Sequence, residues 1–120
     1  MFSDNHRVML VEDDEETRIS LGEILRIEGF TVVSFANGLE AMDYLTHSPP
    51  PRLIIMDMRM PLMDGHQFRS ALLRDPCLAA IPVVVVTAYE PSAVANLSVS
   101  RVFRKPVDIG ALVKTVRQYC

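Results

Sequence analysis

Five short apolar runs, separated by stretches of helical periodicity, constrain the fold more than any other feature of this chain. The runs occupy residues 8–11, 30–35, 53–56, 82–86 and 101–104, the last with Val102 and Phe103 between two arginines. Runs that are apolar throughout, without alternation, suit strands covered on both faces. Leu21, Ile24 and Leu25 predict one inward helix face over residues 15–28, stopped by Gly29. Asn37 caps a second helix, with Glu40 at capping-box spacing and Ala41, Met42 and Leu45 inward. Three prolines, 49–51, end that segment. Asp64-Gly65 opens a third helix carrying Phe68, Ala71 and Leu72, and Ile109, Leu112, Val113 and Val116 mark a last one. Strands alternating with helices make a parallel sheet with right-handed crossovers, so the expectation is a doubly wound α/β domain over residues 1–120.

Composition narrows the function. Hydrophobic residues are 49% and charged residues 22%, an ordinary globular balance that argues against disorder. A net charge of −3 argues against direct nucleic-acid binding or attraction to an anionic membrane. Cys77 and Cys120 lack metal-ligand or redox spacing, which suits reduced thiols. No leader-like core follows the N-terminus and no apolar run reaches membrane-span length, so a soluble, cytoplasmic protein is expected.

In doubly wound sheets, ligands bind beyond the carboxyl ends of the strands. The informative polar residues lie there: Glu12, Asp13 and Asp14 after the first run, Asp57 after the third, Thr87 after the fourth and Lys105 after the fifth. Clustered carboxylates need a cation, and hard oxygen ligands suit Mg²⁺. An aspartate can itself be the nucleophile toward phosphorus, and a lysine and a hydroxyl can stabilise the transferring group. Each residue also has an ordinary reading. The acidic triplet could be a solvated helix start, Asp57 a cap, Thr87 a strand end and Lys105 a surface lysine. Their shared placement favours a site.

These residues resemble the bacterial response-regulator receiver family. The matching text is Val11-Glu12-Asp13-Asp14, then Asp57-Met58-Arg59-Met60-Pro61-Leu62-Met63-Asp64-Gly65, then Ile81-Pro82-Val83-Val84-Val85-Val86-Thr87-Ala88, then Lys105-Pro106. The resemblance implies a five-stranded, flavodoxin-like (βα)5 receiver of a two-component system, with Asp57 as phospho-acceptor. It further implies that Glu12, Asp13, Asp57 and the backbone carbonyl of Arg59 bind Mg²⁺. Thr87 and Lys105 would hold the phosphoryl group, the Lys105-Pro106 bond would be cis, and Ala88 would be the small residue beside the site. The implied donor is a sensor histidine kinase or histidine phosphotransfer protein. The implied output is a phosphorylation-dependent dimer or a downstream protein target. Such a module assists its own phosphorylation and dephosphorylation but is not a metabolic enzyme.

Two departures stand out. Where receivers carry an aromatic ring three residues before the lysine, this chain has Val102, and Phe103 should lie on the opposite strand face, in the core. Seventeen residues separate Thr87 from Lys105, fewer than is usual in the family, so the fourth helix should be short or irregular. Arg59 and Tyr89, two beyond the acceptor and two beyond the threonine, would screen the hydrolytic water or point to solvent. Two alternatives carry other functions. A haloacid-dehalogenase-type phosphatase would want a second aspartate where Arg59 stands, and arginine cannot act as that acid. A receiver-like interaction domain no longer switched by phosphate would explain Val102 but leaves the full acceptor set unexplained.

Overall fold

The computed structural model describes residues 7–88 and 97–120. In chain order the elements are β1 (Arg7–Val11), α1 (Glu15–Ile27), β2 (Thr31–Phe35), α2 (Gly38–His47), β3 (Leu53–Met56), α3 (Gly65–Leu73), α4 (Pro76–Ala79), β4 (Val83–Thr87), β5 (Arg101–Arg104) and α5 (Ile109–Tyr119). All strand pairs are parallel, in the order β2-β1-β3-β4-β5. The five-stranded, helix-covered sheet expected from the alternating runs is therefore present.

Two cores sandwich the sheet, and successive strand residues feed them in turn. Met9, Val11, Ile54, Met56, Val83 and Val85 join Leu45 of α2, Phe68 and Leu72 of α3, and Leu78 of α4. Val8, Leu10, Leu53, Ile55, Val84 and Val86 join Leu21 and Leu25 of α1 and Leu112 and Val116 of α5. Burying each such side chain is worth about 1.5–3 kcal/mol. A one-residue slip would exchange the two sets of partners, so the packing specifies the register. Val102 packs toward the first core and Phe103 toward the second, the opposite faces expected of them.

Local signals explain the helix boundaries. The Asn37 side chain accepts from the Glu40 amide at 2.9 Å, and the fully reciprocal box is at α3, between Asp64 and Gln67. Gly29 has φ +101°, with its amide bonded to Arg26 and that of Phe30 to Leu25, a Schellman-type end that a Cβ would strain. Helix α4 was not expected, because a single turn shows no period. Asp75, which caps it, and Pro76 nonetheless carry a start signal. The anticipated short or irregular fourth-crossover helix falls mainly on residues 89–96, outside the described residues. Among the described residues, no helix is long and apolar enough to cross a membrane.

Candidate functional site

Strand register assembles the site. The chain leaves β1 toward β2 on one side and leaves β3 toward β4 on the other, so a crevice opens between their carboxyl ends. Val11 pairs with Met56, which makes the next residues, Glu12 and Asp57, neighbours across that crevice. Two strands along, Thr87 pairs with Arg104, and the Lys105 amide donates to the Thr87 carbonyl at 2.8 Å.

Glu12 is 2% exposed and Asp57 7%, while Asp13 is exposed. One carboxylate oxygen from each of the three lies within 4.8 Å of the others. Lys105 Nζ donates to Glu12 Oε1 and to Asp57 Oδ2, both at 3.0 Å. Asp57 Oδ1 accepts from the Met58 amide at 2.6 Å and from the Arg59 amide at 3.4 Å. Main-chain donors thus hold one oxygen of Asp57, and Lys105 holds the other.

Gly65 permits this turn. A Cβ there would sit 2.9 Å from Met58 Cα, and the Gly65 amide donates to the Met58 carbonyl at 3.0 Å. Only a glycine lets α3 start against the residue whose amide holds Asp57.

Glu12 and Asp57 share Lys105, with Asp13 close by, and this shapes the electrostatics. Burial pushes the Glu12 carboxyl above its usual range, and the nearby Asp57 charge adds to this despite bonds from the Asp14 amide and Lys105. Lys105 loses some basicity to burial, but its bonds to Glu12 and Asp57 outweigh that and raise its pKa. Asp14 stands apart from the cluster. It caps α1, and the Thr17 hydroxyl and amide hold its pKa down. For Asp14 the ordinary helix-start reading is the right one.

The predicted residues Glu12, Asp13, Asp57 and Lys105 are brought together. Thr87 is fully buried at the adjacent strand end, and Ala88 after it is exposed. Arg59 is exposed and lines a surface cavity of about 450 Å³ with Asp13, Met58 and His66. Tyr89, its expected companion, lies outside the described residues. The Lys105-Pro106 bond is cis. Sequence reasoning missed Arg18, whose Nη1 donates to the carbonyls of Glu12 at 2.8 Å and Asp13 at 3.4 Å. A basic residue one turn into the helix after an acidic loop was the available signal.

Comparisons with known proteins agree with this geometry. The family model described as the response regulator receiver domain matches residues 8–117. Sporulation initiation phosphotransferase F of Bacillus subtilis is 31% identical, over 96% of this chain and 94% of its own length. A response regulator receiver protein from Pseudomonas putida superposes with TM-score 0.88 at 26% identity, covering 98% of this chain and 99% of that one. The receiver domain of a sensor histidine kinase from Pseudomonas aeruginosa PAO1, solved with a magnesium ion in its active-site cleft, shares the fold. Its TM-score is 0.86 at 20% identity, covering 97% of this chain and 98% of that one.

Proposed function

The chain belongs to the response regulator receiver domain family of phospho-accepting signalling modules, and from that premise we propose that Asp57 is its phospho-acceptor. The observation that carries this reading is the asymmetry at Asp57: Oδ1 is held by main-chain amides and Oδ2 by the Lys105 ammonium. Oδ2 is the nucleophile. As its bond to phosphorus forms, the phosphorus–nitrogen bond of a donor phosphohistidine breaks, and the imidazole leaves with its electron pair. Lys105 passes from Oδ2 to a phosphoryl oxygen, and the Thr87 hydroxyl donates to another. Ala88 leaves the approach open.

The donor set fits Mg²⁺. Glu12, Asp13 and Asp57 offer hard oxygens within 4.8 Å of one another, and Lys105 bonds Glu12 and Asp57 while Asp13 stays exposed. These carboxylates, with the Arg59 carbonyl, would hold the ion, which when bound supplies positive charge to the transferring group. The magnesium in the Pseudomonas aeruginosa relative supports the same reading.

The donor is a sensor histidine kinase or a histidine phosphotransfer protein. Residues 1–120 act as one receiver unit that assists its own phosphorylation and dephosphorylation and is not a metabolic enzyme. Output passes through a phosphorylation-dependent dimer or a downstream protein, without direct nucleic-acid contact. The free cysteines, Cys77 and Cys120, suit a reducing compartment, and the cytoplasm is the proposed location.

Acetyl phosphate with Mg²⁺, applied to wild type and Asp57→Asn, tests the assignment by intact mass. Wild type gains an acid-stable, hydroxylamine-labile phosphoryl group and the variant gains none. Equal labelling of both would refute Asp57 as acceptor.

A further inference from the structure

Asp13 is placed differently from its two neighbours in the cluster. Glu12 is held through its side chain by Lys105 and the Asp14 amide, and Asp57 by Lys105 and two main-chain amides. The Asp13 carboxylate is exposed and accepts no hydrogen bond among the described residues. Its oxygen nevertheless lies within 4.8 Å of those of two like-charged groups. Repulsion would swing it outward, so its position depends on the main chain beneath it.

The Arg18 side chain clamps that main chain. The Arg18 amide bonds the Asp14 carbonyl at 2.9 Å, which seats Arg18 in the first turn of α1. From there Nη1 reaches back to the carbonyls of both Glu12 and Asp13. A guanidinium on neutral carbonyls forms charge-assisted bonds, stronger than neutral ones. We propose that Arg18 is a positioning residue that holds the β1–α1 turn so that Asp13 and Glu12 face Asp57 as a ready-made divalent-cation pocket. The proposal rests on the Mg²⁺ reading above.

Arg18 also carries a positive charge, which by itself would repel a cation. Removing it therefore has opposite consequences under two accounts. If its charge dominates, Mg²⁺ binds more tightly without it. If positioning dominates, Mg²⁺ binds more weakly, as when residues supporting metal ligands are removed elsewhere.

Calorimetric Mg²⁺ titration and the Mg²⁺-induced rise in melting temperature are measured on wild type, Arg18→Met and Arg18→Lys. Arg18→Met should raise the Mg²⁺ dissociation constant about tenfold, at the lower end of such effects. Labelling by acetyl phosphate should then half-saturate at correspondingly higher Mg²⁺, with the saturating rate changed less than about twofold. Arg18→Lys, which keeps the charge on a single donor nitrogen, should fall between. Melts in EDTA verify folding, and the lysine variant carries the test alone if the methionine variant is unfolded. An unchanged or lower dissociation constant overturns the proposal, as does a lost saturating rate with unchanged Mg²⁺ half-saturation. Absence of any Mg²⁺ effect on wild type would overturn the metal reading itself, and this proposal with it.

Discussion

Replacing Glu12 by glutamine should make the metal-free protein more stable. Glu12 gains from Lys105 at 3.0 Å, an attraction of about 5 kcal/mol at an effective dielectric near 20. Against it stands the buried Asp57, with an oxygen within 4.8 Å and a repulsion of about 3 kcal/mol on the same scale, while water screens the repulsion from exposed Asp13. Charge repulsion therefore offsets much of that attraction, and the desolvation of a carboxylate that is 2% exposed opposes the rest, relieved in part by the Asp14 amide at 3.1 Å. Glutamine keeps an oxygen for that amide and removes the charge. The expected gain is about 1–2 kcal/mol at pH 7.5 in EDTA, or about 4–8 °C in melting temperature for a domain of this size.

The pH dependence carries the sign. Because the folded-state pKa of Glu12 is raised above 4.5, the stability it contributes is complete below the unfolded value. That contribution is lost as pH rises through the folded value. The gap between variant and wild type should accordingly be small below pH 4.5 and widen above it. Mg²⁺ should reverse the order, since a ligand at 100 times its dissociation constant adds about 2.7 kcal/mol to the protein that binds it better. Differential scanning calorimetry with EDTA and with Mg²⁺ measures each quantity. A Glu12→Gln melting temperature at or below wild type in EDTA at pH 7.5 would refute this electrostatic account.

Three further outcomes follow from the packing. Arg69, on α3, is 7% exposed, and its Nε and Nη1 have no hydrogen-bond partner among the described residues; burial also depresses its pKa. Arg69→Met should raise stability by about 1–2 kcal/mol in urea melts, and a decrease would show that the guanidinium is compensated. Gly29→Ala places a Cβ on a residue at φ +101° and should cost about 1 kcal/mol by the same assay, so a neutral result would discount the strain. Gly65→Ala forces a Cβ to 2.9 Å from Met58 Cα, costing about 1–3 kcal/mol and slowing Asp57 labelling. Unchanged stability and labelling would separate the glycine from the acceptor turn.

Much of the fold was legible because strand and helix periods are local properties. β3 and β4 read as apolar runs since both their faces are covered, and Gly29 and Asn37 act on their own helix ends. α4 escaped notice because one turn has no period. Arg69 looked like an ordinary polar position, because nothing in its neighbourhood along the chain reports that packing encloses it.

The candidate site divides along the same line. Glu12, Asp13, Asp57, Thr87 and Lys105 could be named from sequence because each follows or ends an apolar run, and a parallel sheet gathers strand ends at one edge. The sequence by itself thus determined which residues stand at the carboxyl ends of the strands. It could not say that Asp14 turns away to cap α1, nor that one lysine is shared between Glu12 and Asp57. It did not show Arg18 gripping the carbonyls beneath the acidic turn. Those outcomes depend on ångström-scale distances between groups up to 93 residues apart in the chain. Charge interactions and hydrogen bonds vary steeply over such distances, and only the packed tertiary structure sets them.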